Sequence, residues 1–470
     1  MKEGKLKIPE PLYYLDISSA ADLIRSKNLS PVELAQSYLD RINLLDSKLG
    51  AYITLVADKA INDAKVAEKE ILNGKYKGPI HGIPIGIKDL IDVKGIPTTC
   101  GADWKRSALA TGNAPVTQNL INAGMVLLGK QSLLEFAMGG IDHNPHFGYT
   151  RNPWNLDYFS GGSSSGASAS VSAGLAAGAL GTDTGGSVRQ PAAYCGIVGM
   201  KTTHGLVSLE GVFPMAPSLD TVGPLTRSVM DNALLLEAMT GRTNTFFAGL
   251  DQQNPKTMRI GLPVKWVEDD ADSEVAKCCF AAAEALMESG VEVREIDFSP
   301  NDADHEAYQG IAYYEAFRVH KPYLNDYLSS YGKHVRERIE DGFAISELTH
   351  LNARKQATDL SARAASALSG FDALLLPTQP TTAPELNKGA IIMNGELVSM
   401  AEIRGNFTVP FNLTGWPGLS LPAGFSKNAL PMSIQFVSKP YNERSLYQIG
   451  HLYQTLTSWH EMRPTFDKSN

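Results

Sequence analysis

No stretch of the 470 residues is apolar for long enough to cross a bilayer, and the opening MKEGKLKIPEP lacks the hydrophobic segment of a signal peptide. No membrane partner is expected, and the chain is expected in the cytoplasm. Cysteine is scarce: the 4 residues Cys100, Cys195, Cys278 and Cys279 show no C-x-x-C spacing, which argues against a disulfide framework and a zinc site. Cys195 reads as a small buried side chain. None of the 10 histidines falls in an H-E-x-x-H pattern, and His143 and His146 sit in an Asn-Pro loop without a third clear ligand. Neither a metal nor a cofactor is expected. The formal net charge of −8 offers no electrostatic footprint for a nucleic acid, so none is expected as a partner.

What the chain does have is a tract of Gly, Ser and Ala from Ser160 to Ser187 (SGGSSSGASASVSAGLAAGALGTDTGGS). Its side chains are too small for ordinary core, while Val171, Leu175 and Leu180 are out of place in a flexible linker. Glycine permits close approach and positive φ, so two glycine clusters framing hydroxyls suggest main-chain N–H groups gathered around a reacting atom. The tract has no lysine to reach a phosphate. A P-loop-like spacing does occur at Gly124 to Gln131, but Gln131 stands where a Mg²⁺-binding hydroxyl is needed, and the Met and aliphatic residues between its glycines read as a buried strand. Gly162-Ser163-Ser164-Ser165-Gly166 also fits the G-x-S-x-G spacing of a nucleophile elbow, with Ser164 as nucleophile. That motif demands a preceding strand, whereas Arg151 to Ser160 reads as loop.

Three segments together, Gly82-Ile-Pro-Ile-Gly-Ile-Lys88-Asp, Gly161-Gly-Ser-Ser-Ser-Gly166 and Gly181-Thr-Asp-Thr-Gly-Gly-Ser187-Val-Arg-Gln-Pro191, resemble the amidase signature family of Ser-Ser-Lys amidohydrolases. The likeness continues through Ala192 to Gly196, Gly199 to Thr202, Asn152-Pro-Trp154, Leu219-Asp-Thr-Val-Gly-Pro224, Leu374 to Thr378 and Asn412-Leu-Thr-Gly415. Ser165-Gly166 stands where most members have a second glycine pair. The resemblance implies Ser187 as nucleophile, Ser163 as a bridging serine carried by a cis peptide after Gly162, and Lys88 as base. It also implies a fold: a mixed, mostly parallel central β-sheet covered by helices on both faces.

Amide hydrolysis needs an activated nucleophile, stabilised charge on oxygen and a proton for the departing nitrogen. A neutral Lys88 can draw the proton of Ser187 through Ser163 and return it to the leaving amine. Lysine is almost wholly charged at neutral pH, with an ordinary pKa of about 10.4, and desolvation can lower a buried one by about 3–5 pH units. Ile83, Ile85 and Ile87 alternate on a short strand leading into Lys88, which suggests that its stem enters an apolar interior. The N–H groups of Thr184, Gly185, Gly186 and Ser187 are the oxyanion-hole candidates, and Asp183 and Arg189 flank the turn as braces.

Length alone would suggest about three domains, but Lys88, Ser163 and Ser187 must meet, and no charged or Pro-rich linker divides them. A single α/β domain over 1–470 is expected, with a helical region over 1–75, a signature core over about 80–230 and helices over about 300–370. Ser30-Pro31-Val32-Glu33 carries a capping box with Pro at the first helical position, and Ser228 to Asp231 caps a second helix. Met258 to Leu262, Ser273 to Ser289 and Val291 to Phe298 read as strand, helix, strand. Tyr308, Tyr313, Tyr314 and Phe317 read as core, with lining of a substrate pocket as the alternative. The leading functional expectation is an amidase releasing ammonia or an amine from a small-molecule amide through acyl-Ser187, expected as a homodimer. The alternative is the glutamine-hydrolysing A subunit of a glutamyl-tRNA(Gln) amidotransferase. In that subfamily an acidic residue precedes the Asn-Leu-x-Gly segment, whereas Arg404-Gly405 stands here. A catalytically silent scaffold is the third.

Overall fold

The computed structural model describes residues 11–138, 144–252, 254–399, 403 and 405–466. Its strands are β1 (Tyr52–Leu55), β2 (Pro84–Lys88), β3 (Val126–Gln131), β4 (Arg151–Asn152), β5 (Asn155–Phe159), β6 (Gly178–Asp183), β7 (Val198–Lys201) and β8 (Thr221–Thr226). They continue as β9 (Arg259–Leu262), β10 (Glu292–Glu295), β11 (Ala373–Pro377), β12 (Ala390–Met393), β13 (Glu396–Ser399), β14 (Gly418–Phe425) and β15 (Pro431–Val437). Eleven of them form one sheet in the order β1-β3-β2-β6-β8-β7-β14-β15-β11-β9-β10. The expected mixed sheet is present. Its parallel pairings form two blocks, β3-β2-β6 and β11-β9-β10, with antiparallel pairing at β1 and through the middle. β14 and β15 follow each other through a short turn and pair as a hairpin, which only antiparallel strands can do.

Every residue of β2, β3, β6, β7, β8, β11 and β15 is buried, so both faces of the sheet are covered. One hydrophobic core runs through the sheet and its helices from Leu15 to Tyr453. Local sequence signals account for the helix starts. Ser30 accepts from the N–H groups of Val32 and Glu33, and Glu33 reaches back to the Ser30 N–H, opening helix Pro31–Leu49. Ser228 caps helix Val229–Thr240 by accepting from Asp231 N–H. β9, helix Ser273–Glu288 and β10 make the expected strand, helix, strand unit, with β10 parallel to β9. Helices Asp302–His320, Lys333–Ala344 and Glu347–Ala367 fill the region expected to be helical.

Arg151 to Ser160, expected as loop, instead contains the ribbon β4–β5. The turn-forming Pro153 and Trp154 lie between the two strands, so the residues that break regular structure mark the turn of a hairpin. Asn152 closes the ribbon by donating to the Phe159 carbonyl at 3.1 Å and ties it to the core by donating to the Tyr194 carbonyl at 2.9 Å. The ribbon stands outside the main sheet, where it does not supply an elbow.

The glycine at 166 is forced by packing. A Cβ there would collide with the carbonyl oxygen of Ala51 and the backbone of Ser132, neither of which can rotate away. Gly166→Ala should therefore cost about 1–3 kcal/mol of stability, read as a lower midpoint of thermal unfolding; an unchanged midpoint would contradict this packing.

Candidate active site

Strand pairing brings the site together. β2 ends at Lys88, and β6 runs parallel beside it with Ile87 opposite Leu180, which sets Thr182 next to the lysine. The peptide bond between Gly162 and Ser163 is cis. Ser163 and Ser164 then lead into helix Ser165–Ser172. Lys88 is fully buried, and its Nζ lies 2.8 Å from Ser163 Oγ, 3.0 Å from Ser164 Oγ and 2.8 Å from Thr182 Oγ1. Burial lowers its pKa to about 7, against the opposing pull of the Asp183 and Asp220 carboxylates. An ordinary lysine would be charged here; this one is poised to be neutral near physiological pH.

Hydrogen-bond accounting limits what each hydroxyl around Lys88 can do. Ser164 Oγ donates its one proton to the Thr182 carbonyl at 3.1 Å and accepts from Thr182 N–H at 3.2 Å. Its contact with Lys88 is therefore one in which the lysine donates. Ser164 is buried completely, so the hydroxyl that the elbow spacing singled out is a fixed acceptor inside the protein. Sequence reasoning missed Thr182 and this role of Ser164; the parallel register of β6 on β2 is what reveals them.

The turn that carries Ser187 follows β6. Ser187 is half-buried, and its carbonyl accepts from Ser164 N–H at 3.3 Å, which holds the two serine segments together. Gly162 N–H donates to the Gln190 side chain at 3.1 Å. Asp183 is the hub of the turn. Its carboxylate accepts from Gly186 N–H at 2.8 Å, Val188 N–H at 3.2 Å, Arg189 Nε at 3.0 Å and Asn412 Nδ2 at 2.8 Å. Burial alone would raise its pKa, but the Arg189 guanidinium, Lys201 and Asn412 hold it well below the usual carboxylate range. Arg189 is fully buried and also donates to the Thr408 carbonyl at 3.0 Å, Asn412 Oδ1 at 2.7 Å and Gln435 Oε1 at 3.2 Å. Both residues occupy bracing positions.

One expected oxyanion donor is compromised, because Gly186 N–H already serves Asp183. Gly185 packs against Tyr308, whose hydroxyl a Cβ at this position would strike. The aromatic set therefore divides: Tyr308 reaches the Ser187 turn, while Tyr314 stacks on His350 with ring centroids 4.4 Å apart. Elsewhere, Lys130 of the P-loop-like spacing is buried in an ion pair with Asp89 at 2.7 Å, and Gln131 donates to Ser170 Oγ at 2.6 Å. His146 faces Glu135 at 3.2 Å, and His143 lies outside the described residues.

The Amidase family model matches residues 33–447. The chain belongs to this family, the amidase signature enzymes. It is 36% identical to the A subunit of the glutamyl-tRNA(Gln) amidotransferase of Carboxydothermus hydrogenoformans, over 96% of this chain and 99% of that one. Among solved structures, an amidase superposes with a TM-score of 0.88 at 32% identity, covering 94% of this chain and 99% of its own. The native peptide amidase of Stenotrophomonas maltophilia superposes with a TM-score of 0.84 at 28% identity, covering 98% and 100%. The chain therefore shares with its relatives an enzyme fold for C–N bond chemistry. Among its described residues, no helix is long and apolar enough to cross a membrane.

Removing Arg189 would leave Asp183 buried without its cation. Arg189→Ala should destabilise the protein by about 3–5 kcal/mol, measured by denaturant unfolding at neutral pH. A loss of under about 1 kcal/mol, the range of an exposed pair, would contradict the bracing role.

Proposed function

We propose that this chain hydrolyses a carboxamide by transferring the acyl group to Ser187. The observation that carries the reading is Lys88, buried and within 2.8 Å of Ser163 Oγ. With its two N–H groups taken by Ser164 and Thr182, the lone pair of the neutral amine faces Ser163. Ser163 gives its proton to Lys88 as it takes one from Ser187, and Ser187 Oγ attacks the amide carbon. Charge on the carbonyl oxygen is held by the N–H groups of Thr184, Gly185 and Ser187, with Gly186 left to its carboxylate. The relay then runs backwards, protonating the nitrogen so that ammonia or an amine departs. Water repeats the sequence and frees the acid from Ser187.

A second reading concerns the substrate. The curated relatives matched over nearly the whole chain are glutamyl-tRNA(Gln) amidotransferase A subunits, and they favour glutamine hydrolysis within such an assembly over a stand-alone amidase. On that reading the chain has partner subunits and an RNA-borne acceptor, which the charge balance alone did not suggest. Gly405 weighs against it: it lies against the Gly185 carbonyl, in the segment where the subfamily carries an acid, and has no side chain to grip an amino group. Both readings use the same acyl-enzyme chemistry, and an idle scaffold accounts for none of the lysine's environment.

Ser187→Ala should abolish turnover, and a fluorophosphonate should mark Ser187 in peptide mass spectra; undiminished turnover, or labelling at Ser164 instead, contradicts the mechanism. Because the neutral amine is the working form, kcat/KM should fall as pH drops through about 7. Ammonia release from glutamine only when amidotransferase partner subunits are added selects the second reading. Release from simple amides by the chain alone selects the first.

A further inference from the structure

Asp220 lies outside the Lys88–Ser163–Ser187 relay, yet it is buried with both oxygens in use. Oδ1 accepts from Thr184 Oγ1 at 2.5 Å, and Oδ2 accepts from the N–H groups of Met215 at 2.9 Å and Ala216 at 3.1 Å. Thr184 is the first residue of the nucleophile turn. The loop that carries Asp220 is itself clamped from outside. Ser218 donates to Glu315 twice, from its N–H at 3.0 Å and from Oγ at 2.6 Å. Glu315 belongs to helix Asp302–His320. Tyr308, seven residues earlier on that helix, lies on the same face and meets the turn at Gly185.

The helix therefore grips the nucleophile turn at two points. One is direct, through Tyr308. The other passes through Glu315, Ser218 and Asp220 to Thr184. Resting on the acyl-enzyme reading, we propose that Asp220 is a positioning residue that fixes Thr184, and with it the first oxyanion donor, by a side-chain hydrogen bond that the Glu315–Ser218 clamp holds in place. The requirement is geometric: a peptide N–H stabilises developing charge only when aimed at the oxygen beforehand, and the threonine side chain is the handle by which its own peptide is aimed.

A second consequence is electrostatic. The anions that act on Lys88 are Asp183 at the end of β6 and Asp220 on the loop before β8. Asp183 is paired with Arg189 and influenced by Lys201, while Asp220 has Glu315 near it, itself faced by His350 and Arg354. Replacing Asp220 by Asn keeps the shape, removes one of those two anions and lowers the Lys88 pKa further. The acid limb of kcat/KM then moves to lower pH.

The test uses the full chain and its best amide substrate. Asp220→Ala and Thr184→Val should each lower kcat by about 10- to 100-fold with KM within about threefold, and the double variant should be no worse than the worse single one. Thr184→Ser, which keeps the hydroxyl, should retain at least about tenfold more kcat than Thr184→Val. Circular dichroism spectra matching the wild type keep these losses apart from unfolding. A wild-type kcat in Asp220→Ala, or a Thr184→Ser defect as deep as that of Thr184→Val, overturns the inference. Ser187→Ala run alongside separates the two levels: if it is inactive while Asp220→Ala is unimpaired, only the positioning role fails, and if it turns over normally the acyl-enzyme reading fails as well.

Discussion

Everything at this site depends on one lysine buried away from solvent. A primary amine in solution would carry a proton and could accept none. Placed at the end of a strand buried on both faces, with three hydroxyls as its polar neighbours, Lys88 loses the hydration that favours its charged form. The hydroxyls satisfy it without supplying the full negative charge that would restore the ammonium. Two carboxylates, Asp183 and Asp220, oppose this from farther out and keep the shift moderate, so that the pKa comes to about 7 and not lower. A base near neutrality is also the most useful one, since it takes a proton readily and gives it back.

The second constraint is mechanical. A turn rich in glycine offers N–H groups to a reacting oxygen but cannot hold its own shape. Asp183 supplies the shape by gathering N–H groups from within the turn, and Arg189 closes the arrangement by reaching segments more than 200 positions away, at Thr408, Asn412 and Gln435. The anchor has a side effect: Gly186 N–H, spent on the brace, is withdrawn from the oxyanion role. A buried ion pair of this kind need not stabilise more than an apolar core would, but it fixes the backbone where catalysis needs it fixed. Helix Asp302–His320 adds a clamp from the other side through Tyr308 and Glu315.

Much of this was legible in the chain. The strand before Lys88, the capping box at Ser30, the cap at Ser228 and the strand, helix, strand unit from Arg259 to Glu295 follow from local residue chemistry, and the structure has them. The three candidate residues of the relay stood in motifs specific enough to name. What escaped was whatever depends on register or on distant segments meeting. Thr182 carries no local mark as a lysine partner; it becomes one because β6 lies parallel to β2. Asp220 looked like part of a motif, and its bond to Thr184 exists only after the loop folds back. The ribbon β4–β5 was missed because Pro153 and its polar neighbours look alike whether they break a loop or turn a hairpin. The substrate was the least legible: outside the resembling segments no local motif names one.

The central claim is that the Lys88 amine is uncharged under working conditions, and the amine itself can be observed. In protein carrying isotope-labelled lysine, with Lys88→Met used to assign the signal, an NMR titration of the side-chain resonance should show Lys88 losing its proton near pH 7 while exposed lysines remain charged to about pH 10. A Lys88 that titrates with the exposed lysines would contradict the account at its base.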